Sequence, residues 1–271
     1  MGLQIRIEKL IFTKNIKMKN KILILILLNL LTFSYANECI DMQSFRKCKI
    51  SFYCNDNITE VQKNIQENLN FLSSQKENLS EELYLTLENN LVLEKINFTP
   101  ETDESKKEIY LLINNQSVKN DLFINDKNIK KLSNEYLVSI ADLKTRRLNF
   151  LTSTKMYSES MTIKDLYLTA LKNNKKFSNA LLGYGLWLYF APPIVGGGHQ
   201  ESLKKIIEAE KNAVFDEDLY FILLYKSQLL FVMNRMDEYK KTLEKAHNLI
   251  PSEVFIKDIE EINEKGTVFF D

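Results

Sequence analysis

Residues 180–190 read Ala-Leu-Leu-Gly-Tyr-Gly-Leu-Trp-Leu-Tyr-Phe, residues 191–198 read Ala-Pro-Pro-Ile-Val-Gly-Gly-Gly, and two further helical patterns carry the chain to Asn-Leu-Ile-Pro at 248–251. These residues predict helical hairpins stacked on each other. Two antiparallel helices approach closely only where a side chain is Gly, Ala or Ser, and the stretch supplies Gly183, Gly185, Ser202, Ala209, Ser227 and Ala246. Pro192 and Pro193 cannot extend the helix that ends near Phe190, and three glycines release the backbone before the next helix starts near His199. The turn is therefore an elaborated loop, and Pro192, Pro193, Gly196 and Gly197 are candidate loop residues of a binding lip. The other reading is a packed loop whose apolar centre, Ile194-Val195, folds back on Trp187 or Tyr189. A glycine run before a helix can hold an anion, but no Lys-Ser/Thr pair follows Gly198, which excludes a nucleotide P-loop.

In the second hairpin Ser227, Tyr239, Ala246 and Pro251 stand at intervals of 12, 7 and 5. That spacing resembles the tetratricopeptide repeat, a helix-turn-helix unit of about 34 residues with small side chains where its helices meet. Tyr239 stands where that family prefers alanine, which predicts helices held slightly apart at that level. In the first hairpin Gly183 or Gly185 is the small residue of the first helix, and Ser202, Ile206 and Ala209 fall at the expected spacing in the second. Tyr167 and Ala170 suit the second helix of a degenerate earlier unit. The resemblance, over about residues 160–252, implies a right-handed stack of helix pairs whose first helices line a groove for peptides or partner proteins. Carried over by position, the partner-binding residues are Tyr184, Trp187, Phe221, Gln228 and Phe231. A second resemblance lies in Tyr-Phe-Ala-Pro-Pro at 189–193 followed by glycines and a helix. It is similar to the exported T-component of tripartite solute transporters, which implies a periplasmic, often oligomeric partner of a solute-binding protein.

Upstream, Ile22 to Phe33 is an Ile/Leu run broken only by Asn29 and Thr32, with Lys19 and Lys21 before it and Ser34-Tyr35-Ala36 after it. A charged start, a short apolar stretch and small residues read as a secretory signal peptide, cleaved after Ala36, with Met18 as the natural start. The run is too short for a comfortable membrane span, so no stable span is expected after cleavage. No small-residue lipobox precedes Cys39, so lipid anchoring there is not expected. Cleavage removes six basic residues and one acidic one from 36 of each, leaving a formal charge of −5. That argues against nucleic-acid binding.

The expected segments are 1–36 (signal and upstream extension), 37–57 (cysteine-containing), 58–126 (mixed helical and irregular), 127–265 (helical repeats) and 266–271 (tail). Cys39, Cys48 and Cys54 allow one disulfide in an exported chain, with the pairing open. A metal site is not expected, because neither His199 nor His247 has ligand spacing to the cysteines. Ile58, Val61, Ile65, Leu69 and Leu72 predict an amphipathic helix, capped by Thr59 or Asp56. Leu83, Leu85 and Leu87, then Asn89-Asn90, then Leu91 and Leu93 alternate as a hairpin would, while Leu83, Leu87 and Leu91 also share a helical face. Residues 98–126 are expected to be irregular or partly extended. Ile129 to Leu151 predicts one long helix, and Thr162 to Lys172 another after a polar loop. Ser252 to Lys265 predicts a closing helix, ended by Gly266 and followed by a short apolar tail.

No Gly-x-Ser-x-Gly, His-Glu-x-x-His or paired-cysteine motif is present. The expectation is a mostly all-α hairpin stack, with a small extended region near 80–125, acting as an exported protein-binding scaffold in the cell envelope. It is expected not to be an enzyme and to need no cofactor, and its partner is expected to be an envelope protein or peptide, or a second copy of the chain. The alternative is the transporter accessory.

Overall fold

The computed structural model describes residues 38–100 and 102–270. The expected signal segment and its cleavage site at Ala36 lie outside the described residues. Among those residues there are eleven α-helices and no strand. They are α1 (Met42–Tyr53), α2 (Ile58–Ser74), α3 (Glu81–Asn97), α4 (Asp103–Ile124), α5 (Asn134–Arg147) and α6 (Ser153–Asn173). The C-terminal set is α7 (Ser178–Phe190), α8 (His199–Asn212), α9 (Asp216–Val232), α10 (Met236–Leu249) and α11 (Glu253–Glu264). The pairs α5/α6, α7/α8 and α9/α10 form successive helical hairpins.

Several helix starts are set by oxygen-bearing side chains that satisfy free backbone donors. Asp41 and Ser44 form a reciprocal box at α1, and Thr102 and Ser105 form one at α4. Ser80 and Ser133 cap α3 and α5. Asn57 caps α2 by accepting from the Glu60 amide at 3.2 Å, in place of Asp56 or Thr59.

The hairpin reading of residues 83–93 is corrected, as is the irregular segment expected over 98–126. Both stretches are helical. The alternation of leucines in α3 arises because this helix is buried on nearly every side: Leu85, Leu87, Leu91, Val92 and Ile96 are all inside. A helix covered all round loses its single apolar stripe. In α4 the buried positions Ile109, Ile113, Gln116, Ser117, Asn120 and Phe123 keep helical spacing, but three of the six are polar. Asn89, read as a turn residue, is fully buried at mid-helix. It exchanges amide hydrogen bonds with Asn120 at 3.1 and 2.9 Å, donates to Ser139 Oγ at 3.0 Å and accepts from Gln116 at 2.8 Å. Tyr136 Oη adds a bond to Asn120 at 2.9 Å. Buried polar groups this well partnered tie α3, α4 and α5 in one register.

The long helix expected over 129–151 is divided. Ser133 starts α5, and 3₁₀ turns at Ile129–Lys131 and Leu148–Phe150 flank it. Lys144, Arg146 and Arg147 occupy the last turn of α5, where cations complement the helix dipole. The polar loop expected before Thr162 is instead the start of α6, whose first two turns are largely exposed and so carry no apolar period.

The two glycines of α7 have different partners. A methyl group on Gly183 would overlap the ring of Tyr167 on α6, whereas one on Gly185 would lie 2.9 Å from Ile206 and 3.3 Å from the Ser202 carbonyl on α8. Gly185 therefore closes its own hairpin, and Gly183 seats that hairpin on the preceding one. Ser227 and Ala246 are fully buried within the α9/α10 hairpin, and Tyr239, also buried, packs against Phe231 at 5.6 Å.

The first described helix, α1, packs against α9 and α11. Arg46 Nε donates to Asp218 at 2.9 Å while its guanidinium covers Phe215 at 4.1 Å. Tyr53 meets Phe221 of α9 at 5.0 Å and Phe255 of α11 at 4.7 Å. Among the described residues, no helix is long and apolar enough to cross a membrane.

Candidate functional site

The five residues carried over by position do not share one surface. Trp187 is 8% exposed, and its indole N–H donates to both the carbonyl and the hydroxyl of Ser160 on α6, each at 2.9 Å. Tyr184 stacks beside it at 6.0 Å. Phe221 lies under α1, between Tyr53 and the Lys49 ammonium at 4.5 Å. Gln228 is fully buried in a reciprocal amide pair with Asn263, at 3.0 and 2.8 Å. Phe231 is half-buried against Tyr239 of the adjoining helix. These side chains fix helices to one another, and Phe221 reaches the aromatic cluster described next only through Tyr53, which touches Phe255.

That cluster lies where the first helices of consecutive hairpins, α7 and α9, face α11 and the C-terminal tail. Gly266, at φ 81°, turns the chain back after α11, and Asn263 Nδ2 holds the Thr267 carbonyl at 2.9 Å. Val268 is buried. Phe269 then meets Tyr225 of α9 at 4.9 Å and Phe255 of α11 at 5.5 Å. Phe270 meets Tyr189 and Phe190 of α7 at 5.2 and 6.2 Å, and Tyr225 at 5.6 Å. His199 stacks on the other side of Tyr189 at 5.1 Å. Edge-on and tilted ring contacts of this kind add to the area they bury.

Polar side chains from five helices approach one another beside the aromatic cluster. Glu94 of α3, buried, accepts from Lys49 at 3.1 Å, from Tyr53 Oη at 3.0 Å and from Asn97 at 3.2 Å. Burial alone would lower the Lys49 pKa, yet the neighbouring Glu94 carboxylate, with Tyr225 and Asp142, raises it above the ordinary lysine value. Asp142 of α5 accepts from Tyr167 Oη at 2.6 Å. Burial pushes this carboxyl up to about 6, against the pull of the Tyr167 hydrogen bond and of Lys49. Tyr53, Tyr167 and Tyr225 are all pushed above the usual phenol value, first by burial and then by the carboxylates near them. The arrangement can accept or donate hydrogen bonds and holds a carboxyl that titrates near neutrality.

The proline-glycine loop does not cradle an anion. The Gly198 amide donates to the Leu188 carbonyl at 2.8 Å and the Gly197 amide to the Pro192 carbonyl at 3.2 Å, so both donors are spent inside the loop. Gly197 is required by close approach, since any side chain there would strike the Ala191 carbonyl. Pro192, Pro193 and Gly196 are exposed. The loop centre divides: Val195 packs on the core, and Ile194, expected to fold back with it, is 93% exposed.

A separate, shallow depression of about 450 Å³ lies between α3, α4 and the end of α5, with Lys106, Lys107 and Arg146 around Tyr110 and Phe150. Among the described residues no group of three or more His, Cys, Asp or Glu is placed to hold a metal ion. The aromatic cluster escaped the sequence reading because its members, Tyr189, Tyr225, Phe255, Phe269 and Phe270, are distant in sequence and follow no single motif. The signal that could have found it is the apolar Thr267-Val268-Phe269-Phe270 tail after a turn-forming glycine. No family model matches the chain, and no curated protein matches it.

Proposed function

We propose that this chain is an exported helical-repeat scaffold that binds a peptide or protein segment in the cell envelope, on the side lined by α7, α9 and α11. The observation that carries this reading is the seat of the chain's own Phe269-Phe270 among Tyr189, Phe190, Tyr225 and Phe255. A surface that accepts a short aromatic segment in cis has the chemistry to accept one in trans, through aromatic anchors between helices. The export reading rests on residues 19–36 of the sequence.

The test uses a fluorescent Gly-Thr-Val-Phe-Phe-Asp peptide with the full chain, with a chain ending at Gly266, and with Phe269→Ala/Phe270→Ala in case truncation impairs folding. Saturable anisotropy is expected with the tail-altered chains, and binding at least tenfold weaker with the full chain. Two tail-altered proteins that keep native circular dichroism yet bind no peptide would refute the groove. Crosslinked capture from a native envelope then identifies the partner, and recovery of one solute-binding protein would favour the transporter-accessory version.

A further inference from the structure

The geometry points to Cys39 and Cys48 as the disulfide-forming pair of this chain, with Cys54 left as a thiol. Sequence alone allows three pairings. Cys39 lies in the extended segment just before α1, Cys48 lies on α1, and both are buried in the same part of the core, at 0% and 2% exposure. Their thiols are hydrogen-bonded to one another. The segment that brings them together is held on both sides. The Cys39 amide donates to Asn68 Oδ1 of α2 at 3.0 Å, and the reciprocal bonds of Asp41 and Ser44 fix the turn into the helix.

Cys54 is placed apart. It follows the last turn of α1, half-buried, on the side of Tyr220. Six residues along a helix separate Cys48 from Cys54, a rise of about 9 Å and two-thirds of a turn out of phase. That is beyond the roughly 4.4–6.8 Å between Cα atoms that a disulfide spans. The cysteine beside the Cys39 thiol is Cys48.

The reaction is thiol–disulfide exchange with a small disulfide oxidant such as oxidised glutathione. One cysteine thiolate attacks the oxidant, breaking its S–S bond and releasing one glutathione thiol. The second cysteine thiolate then attacks the mixed disulfide, releasing the second glutathione thiol and leaving Cys39 and Cys48 joined. The pair loses two electrons and two protons, and the oxidant is reduced to two thiols. Because both sulfurs are buried, exchange is fast while the chain folds and slow once segment 38–41 has settled.

The full chain is refolded in a glutathione redox buffer, alkylated with iodoacetamide without prior reduction, digested and mapped by mass spectrometry. The expected result is a peptide pair linked through Cys39 and Cys48, two mass units lighter than the reduced peptides, with alkylation confined to Cys54. The linked pair persists in Cys54→Ser and is lost in Cys39→Ser and in Cys48→Ser. Three alkylated cysteines across the whole redox range, or a linked peptide containing Cys54, would overturn the assignment. The decisive map is made on the unaltered chain, so a variant that fails to fold does not obscure it.

Discussion

Tyr167 of α6 lays its ring flat enough against Gly183 of α7 that no side chain fits between them, while its hydroxyl reaches back to Asp142 at 2.6 Å. One tyrosine thus sets the spacing of two hairpins and satisfies a buried carboxyl. Gly183→Ala forces the ring aside and breaks that hydrogen bond, and is expected to destabilise by about 2–4 kcal/mol. Gly185→Ala, whose methyl would lie 2.9 Å from Ile206 Cγ1 and 3.3 Å from the Ser202 carbonyl, a lesser overlap than at Gly183, is expected to cost about half as much. Urea midpoints of the two variants, at unchanged m-value, decide the order.

Asp142 gives the fold a pH dependence. Its native pKa, raised to about 6 by burial, lies above that of an unfolded aspartate, so between about pH 4 and pH 6 the native state keeps a proton that the unfolded chain has released. Stability therefore falls as pH rises through that window and stays level above it. Asp142→Asn, which still accepts from Tyr167, is expected to flatten this slope and to add roughly 1–2 kcal/mol at pH 7. Thermal unfolding from pH 4 to pH 8 measures it, and an unchanged slope in the variant would refute the assignment to Asp142.

The Gln228–Asn263 pair joins α9 to α11 through two buried amide hydrogen bonds, and Asn263 also holds the tail at Thr267. Gln228→Ala strands the Asn263 amide and is expected to cost about 2–3 kcal/mol. The double change Gln228→Leu/Asn263→Leu should recover much of that loss while freeing the tail, visible as faster hydrogen exchange at residues 267–270.

Trp187 is the single tryptophan of the chain and is almost fully buried. Its emission should be blue-shifted and should report the α6–α7 contact. Trp187→Ala is expected to destabilise by about 3–5 kcal/mol. Trp187→Phe should lose only about 1–2 kcal/mol, the share of the bonds to Ser160.

The hairpins of the C-terminal half were legible because close helix contact leaves small residues at fixed intervals: Gly185, Ser202, Ser227 and Ala246 are where spacing placed them, and all are buried. The region around α3 and α4 was not. There the buried face is built from Asn89, Gln116, Asn120 and Ser139, and a core held by amides leaves no hydrophobic period to read. Two of the residues transferred by position are covered by neighbouring helices. Trp187 and Gln228 stand at positions facing outward in a regular repeat, but here α6 and α11 cover them. Phe269 and Phe270 acquire their setting only from the turn at Gly266.

The bond between Arg46 and Asp218 joins residues 172 positions apart. In an open stack each unit can form beside its neighbour as soon as it is made, and stability accumulates unit by unit. Here the first described helix bonds to its neighbours α2 and α3 early, but its tie to the ninth closes a loop that spans most of the chain. Once α9 is present the two ends lock together, and the hairpins should then melt in a single transition.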